Sequence, residues 1–255
     1  MASLRMRLRS LGSRFKQRLL GCHPYNTIFN YNWVNVRPMV RTFRALGHLF
    51  QGRVVDLGAG ASPYYDLIAP MAKLYIAIDY PSAMPGKDRR KIERAAGILE
   101  AVPLATESVD TVFCTQVLCQ VPHPEAALRE IARIMRPGGY AIISVPHVSP
   151  LHSEPYDLYR FTPDGLSRLA NAAGLQTHSI HTQGRLFAAF ALCLAMNLVL
   201  SPLVPGQPMR LLPRRQLLFA PLIALVNGIA YLLDTLLPFS RIPVNFIAIV
   251  TKPLR

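Results

Sequence analysis

Short apolar runs alternate with amphipathic segments through the middle of the chain, and two long uncharged stretches follow them. Val54, Val55 and Leu57 make the first run, Leu74 to Ile78 the second, Thr111 to Cys114 the third and Tyr140 to Val145 the fourth. Apolar runs of about 4–8 residues bounded by turn signals read as buried strands. A helix is expected over 63–70, with Ser62 as N-cap and Pro63 at the first helical position. A second covers 124–135, with Glu125 and Arg129 one turn apart, and Arg136-Pro137-Gly138-Gly139 closes it. A third starts at Thr162-Pro163, runs through Leu166, Leu169 and Ala173, and ends at Gly174. Residues 175–182 alternate as a strand, and Val244 to Thr251 form the last one. Strands and helices in alternation predict an α/β domain with a largely parallel sheet.

The flanks carry other patterns. Leu4, Leu8, Leu11, Phe15 and Leu19 recur at helical spacing, with Arg5, Arg7, Arg9, Arg14, Lys16 and Arg18 largely between them. Residues 1–22 therefore read as a basic amphipathic arm of the kind that lies on a membrane surface; a transit peptide has the same pattern. Residues 23–52 read as an N-terminal helical cap, with Tyr25, Phe29, Tyr31 and Trp33 set among Asn26, Asn30 and Asn32, and a helix over 38–50. Leu186 to Val204 is 19 residues without a charge, and Leu217 to Leu233 is 17 more. Both approach the length of a membrane span. Two spans would carry Arg210, Arg214 and Arg215 across the bilayer, against the positive-inside tendency, and six prolines interrupt the region. Residues 183–241 are thus expected to form an apolar helical insertion, a shallow hairpin at a membrane interface or else a lid. The main domain then occupies 53–182 and 242–255.

Charge follows the same division. Residues 1–55 carry a net +10, residues 56–182 a net −2, and residues 183–255 a net +6. Basic flanks suit anionic lipid or nucleic acid. Their interleaving with leucines favours lipid, so an anionic membrane surface is the expected partner and nucleic acid is not. The expected location is the cytoplasmic face of a membrane, as a peripheral or monotopic protein, with the cytoplasm as alternative. The four cysteines show no Cys-x-x-Cys spacing or zinc-like His pairing, so they are read as reduced thiols and no metal site is expected.

The candidate chemistry starts at residues 53–60. Asp56 interrupts the first strand one residue before its end, and Gly58 and Gly60 make a tight turn. A strand, a glycine turn and a helix start form a place to hold a nucleotide-like ligand, because the missing side chains let it approach the backbone. Asp79 ends the second strand about 20 residues past the turn, where a carboxylate can accept from both ribose hydroxyls. NAD is disfavoured, since Pro63 stands where the third glycine of the dinucleotide fingerprint would be.

The succession VVDLGAG (54–60), IAIDY (76–80), VPLATESVDTVFCTQVL (102–118) and ALREIARIMRPGGYAIISVP (127–146) resembles the class I S-adenosylmethionine-dependent methyltransferases. The run HSEPYDLYRFTPDGL (152–166) is similar to a branch of that group linked to cell-surface polysaccharide or lipid pathways. The resemblance implies a Rossmann-like, seven-stranded, mostly parallel sheet with helices on both faces and an antiparallel last strand. It implies S-adenosylmethionine as cofactor, its methionine end held by Asp56, Gly58 and Gly60 and its ribose by Asp79. Ile98 and Leu99 fall where the family contacts adenine, and Gln116 joins the cofactor set. The family often has an acid at position 98, and Val-Leu-Glu-His where this chain has Val117-Leu118-Cys119-Gln120.

Methyl transfer is an in-line displacement, so positioning does most of the work, and a hydroxyl or acidic-carbon nucleophile also needs a base. His152 is the favoured base, with His147 and Tyr156 beside it and Asp157, Tyr159 and Arg160 nearby. The acceptor is expected to be a lipid, a lipid-linked glycan or another amphipathic molecule. A non-catalytic cofactor-binding or scaffold protein is the alternative. The oligomeric state is not legible.

Overall fold

The computed structural model of the chain describes residues 19–21, 23–85, 90, 92–153, 155–201 and 210–254. The basic arm over 1–22 lies almost wholly outside the described residues. The chain divides into two compact units. One comprises residues 41–148, 155–183 and 245–255; the other comprises residues up to 40, 149–154 and 184–244.

The first unit is a seven-stranded sheet in the order β3-β2-β1-β4-β5-β7-β6. Its strands are β1 (Arg53–Leu57), β2 (Leu74–Asp79), β3 (Glu93–Ala96), β4 (Val109–Thr115), β5 (Met135–Pro146), β6 (Gln176–Gln183) and β7 (Asn245–Thr251). β1 to β5 pair in parallel, and β7 runs antiparallel between β5 and β6. The sequence names six of these strands. β3, Glu-Arg-Ala-Ala, goes unread because it is a four-residue edge strand with no apolar run.

Helices cover both faces. Leu128 and Ile131 of α3 (Pro124–Ile134) and Leu166 and Ala170 of α4 (Pro163–Ala172) are buried in one cluster with Val55, Leu57, Val112 and Cys114. Against the opposite face, Phe43, Phe50 and Tyr64 meet Phe113 edge-on at 5.0 to 5.7 Å. Phe43 belongs to α1, which spans Trp33–Ala45 with Pro38 inside it, and a 3-10 turn follows at Gly47–Leu49. The expected 38–50 helix therefore starts earlier and stops earlier. Thr162 caps α4 as the sequence requires, its side-chain oxygen accepting from the Gly165 amide at 3.1 Å. The ion pair of α3 lies at Glu130 and Arg133 (2.7 Å), while Glu125 approaches His123 instead of Arg129.

One expectation fails clearly. The helix after the glycine turn, α2, is a single turn over Tyr65–Ile68, and Ser62 is not its N-cap. Ser62 is fully buried with φ of +48°, so it continues the turn.

The second unit is helical. α5 (Leu186–Val199) and α6 (Pro213–Leu236) lie between β6 and β7 in sequence. They pack on each other, and an antiparallel bridge from Leu200 to Leu211 closes the pair. α5 stops at Val199, before the uncharged stretch itself ends at Val204, where Ser201 precedes Pro202 and is steered away from the helical region. Asp234 of α6 caps the start of α5, accepting from the amides of Arg185, Phe187 and Ala188 at 3.0 to 3.1 Å. Asn227 donates to the carbonyls of Ile28 and Asn30. Arg37 stacks over the rings of Trp33 and Tyr231 at 4.8 and 5.0 Å.

Candidate functional site

β1 and β2 run parallel and end together, so the glycine turn and Asp79 meet at the carboxyl edge of the sheet. Open α/β sheets bind ligands along that edge. The Asp79 carboxylate accepts from the Gly60 amide at 2.6 Å and from the Tyr80 amide at 2.7 Å. Each oxygen keeps a second lone pair for a ligand hydroxyl.

The two glycines do different things. A side chain on Gly58 would strike Val117, at 2.3 Å from the nearer methyl carbon, so this glycine exists for packing between β1 and the segment after β4. A side chain on Gly60 would meet nothing nearer than Asp79 Oδ2 at 4.0 Å. Open space therefore stands over Gly60, beside a carboxylate. Arginines hold the turn from behind: Arg94 donates to the Gly60 carbonyl at 3.1 Å and Arg90 to that of Ser62 at 2.8 Å.

Asp56 lies beneath this loop, 2% exposed. Burial pushes its carboxyl up to about 7, and a hydrogen bond from the Tyr75 hydroxyl partly opposes the shift. It braces β1 against β2 from inside.

Farther along the edge, Leu99 is a core residue at 4% exposure, and its neighbour Ile98 faces out at 37%. Glu130 and Arg133 of α3 clamp the segment that follows. The Val102 amide donates to Glu130 at 2.9 Å, and Arg133 donates to the Val102 and Leu104 carbonyls at 2.9 Å each. Gln116, at the end of β4, holds a left-handed φ of +57°. Its backbone amide donates to the Ser144 carbonyl at 2.9 Å.

The candidate bases separate. His147 directly follows β5, at the same carboxyl edge as Gly60 and Asp79. Its Nδ1 lies 2.8 Å from the Phe161 carbonyl, and the ring packs edge-on to Phe246 at 5.2 Å. A carbonyl only accepts, so Nδ1 carries the proton and Nε2 keeps the basic lone pair. His152 belongs to the helical unit, where its Nδ1 contacts the Pro150 carbonyl at 2.9 Å. Tyr156 is exposed in the sheet unit.

The run around these residues has a structural purpose that its sequence leaves open. Arg160 forms a two-pronged pair with Asp157 at 2.6 and 2.8 Å, and the Asp157 side chain is 2% exposed. The Cys119 carbonyl accepts from the amides of Leu158 and Tyr159 at 3.1 and 3.0 Å. The backbone of Cys119 thus anchors the loop while its side chain is buried. Motif reading misses Tyr75, Arg90 and Arg94; the phenol beside a buried acid and the basic residues on a polar edge strand are the available signals.

Similarity to known proteins agrees with this geometry. Residues 55–143 match the model of a methyltransferase domain family. A protein of Mycolicibacterium smegmatis described as a probable S-adenosylmethionine-dependent methyltransferase is 32% identical over 56% of this chain and 55% of its own length. A demethylmenaquinone methyltransferase of Clavibacter sepedonicus is 30% identical over 47% of this chain and 52% of its own. The chain spans about half the length of these curated relatives. Among solved structures, a chain of the complex between the Haloferax volcanii Trm112 methyltransferase activator and a methyltransferase superposes with a TM-score of 0.56. That match covers 88% of this chain and 93% of the other at 16% identity, and it speaks to the fold alone. The β1–β5 core, with its glycine turn and its acid at the end of β2, thus matches a methyltransferase domain and is similar in sequence to S-adenosylmethionine-dependent methyltransferases.

Proposed function

We propose that the protein is an S-adenosylmethionine-dependent methyltransferase whose acceptor is amphipathic and is met at a membrane surface. The observation that carries the first part is the open space over Gly60 beside the Asp79 carboxylate. It fits a nucleoside: Asp79 has lone pairs for the ribose hydroxyls, and Gly60 leaves the backbone accessible. The adenine side is apolar, supplied by Ile98, so recognition of the adenine amino group falls to backbone or water. When bound, the cofactor supplies an electrophilic methyl group on a sulfonium. The chain's own part is to hold the acceptor in line and to take its proton, and His147 Nε2 is the base at the sheet edge.

The second part is supported by α6. It is 24 residues long, apolar enough by composition to cross a membrane, and only 28% of its most apolar stretch is buried. Leu218, Leu225, Leu232 and Leu236 are each more than half exposed. A helix of this kind covers lipid or a partner.

Calorimetry with S-adenosylhomocysteine tests the cofactor reading. Binding is expected in the full chain and lost in Asp79→Ala. Labelled methyl transferred from S-adenosylmethionine into lipid-extractable material tests the acceptor reading, and His147→Ala is expected to bind cofactor but fail to turn over. No binding at millimolar cofactor would reject the assignment of Gly60 and Asp79. Binding without turnover on any membrane extract would favour a non-catalytic cofactor-binding protein.

A further inference from the structure

The helical unit contains a cavity of about 530 Å³ that the glycine-turn chemistry does not use. Its walls come from the segment between Leu20 and Asn32 and from the start of α6, so both sides belong to one compact unit. Small-molecule sites commonly enclose about 300–1,000 Å³.

The lining combines apolar side chains, Leu20, Leu211 and Pro213, with uncharged polar ones. His23, Asn26, Tyr31, Asn32 and Gln216 contribute to it, and no Asp, Glu, Lys or Arg is among the described residues that do. Burial pulls His23 down to about 4, so at neutral pH it is an uncharged imidazole. Two of the amides are partly committed to the turn: Asn26 donates to Asn30 at 3.3 Å, and Asn32 accepts from Asn35 at 2.9 Å. Gln216 is not. It is 4% exposed, it faces the cavity, and its side-chain amide has no hydrogen-bond partner among the described residues. A primary amide offers two donors and an acceptor, and here they open onto the cavity.

The surroundings add a second requirement. Leu217 and Leu218 directly follow Gln216 and are exposed, and Leu222 and Leu225 continue that surface along α6. A purely apolar ligand would leave Gln216 unpaired, and an anionic one would find no cation among the described lining residues. We propose that this cavity binds the uncharged, hydroxyl-rich head group of an amphipathic molecule, whose tail lies on the exposed apolar face of α6. Hydroxyl groups both donate and accept, and amides answer both. The inference stands on the helical unit alone and does not depend on the reading of the glycine turn.

Trp33 is the chain's single tryptophan and lies in the same unit, so its fluorescence reports on the site. The full chain is titrated with octyl β-glucoside and with octylphosphocholine, each below its micelle-forming concentration. These probes share a tail and differ in head group. The glucoside is expected to half-saturate the signal at about a tenfold lower concentration. Gln216→Leu is expected to abolish that preference and Gln216→Asn to retain part of it. Equal half-saturation by the two probes in the natural chain overturns the proposal, as does a preference that Gln216→Leu leaves intact. Should Gln216→Leu fail to fold by circular dichroism, the comparison in the natural chain decides alone. S-adenosylhomocysteine binding in the same samples keeps the two readings apart, because either can fail while the other stands.

Discussion

Asp56 carries a proton over part of the physiological range because burial raises its carboxyl from an ordinary 3.8 to about 7. A carboxyl raised in the folded state binds more protons there than in the unfolded chain. Its contribution to stability is therefore fully present below about pH 4 and is lost as pH rises through 7. A tenfold change in proton affinity is worth about 1.4 kcal/mol, so the contribution is on the order of a few kcal/mol. Asp56→Asn is expected to flatten the fall in melting temperature between pH 4.5 and 7.5 relative to the natural chain. Identical pH profiles for the two proteins would show that Asp56 is ionised in the fold. At this scale the sequence is an uneven guide. Gly60 and Asp79 stand together as their spacing implies. Gly58 looks equivalent to Gly60, yet its need is set by Val117, which is 59 residues away and invisible to a local motif. Leu99 and Ile98 both fall on ligand positions by resemblance, but adjacent residues point opposite ways, and only one of them leaves the core.

Among the elements, the α5–α6 pair depends on one carboxylate. Asp234 is the sole acidic residue from 183 onward, and three amides at the start of α5 converge on it. The first amides of a helix have no intrahelical partner, so this cap satisfies groups that would otherwise be left unpaired. Asp234→Ala is expected to cost about 1–3 kcal/mol and to lower the melting temperature followed by Trp33 emission. Asp234→Asn, which keeps an acceptor, should cost less; equal losses in both variants would argue against the capping role. The buried strands are legible because each is an apolar run between turn signals. β3 is not, since an edge strand with one covered side has no reason to be apolar. The length of α2 is misread for a backbone reason, and α5 is shorter than its apolar run for another. Ser62 takes a left-handed conformation that its type does not advertise, and the proline after Ser201 ends α5 early despite continuing apolar sequence.

For the molecule as a whole, charge and apolar surface point to the same kind of environment. The near-neutral stretch coincides with most of the sheet unit, while most of the basic excess and most of the exposed leucines lie outside it. Flotation of the full chain with vesicles containing anionic phospholipid should recover it with the lipid at low salt and less completely at high salt. Recovery in the bottom fraction under both conditions would remove the membrane from the proposed function. The order of strands adds a constraint of timing. β7, which separates β5 from β6, follows both hairpin helices in the chain. During synthesis α5 and α6 must leave the ribosome while β5 and β6 still have unfilled edges. Any surface or chaperone that receives the hairpin thus meets it before β7 can complete the sheet.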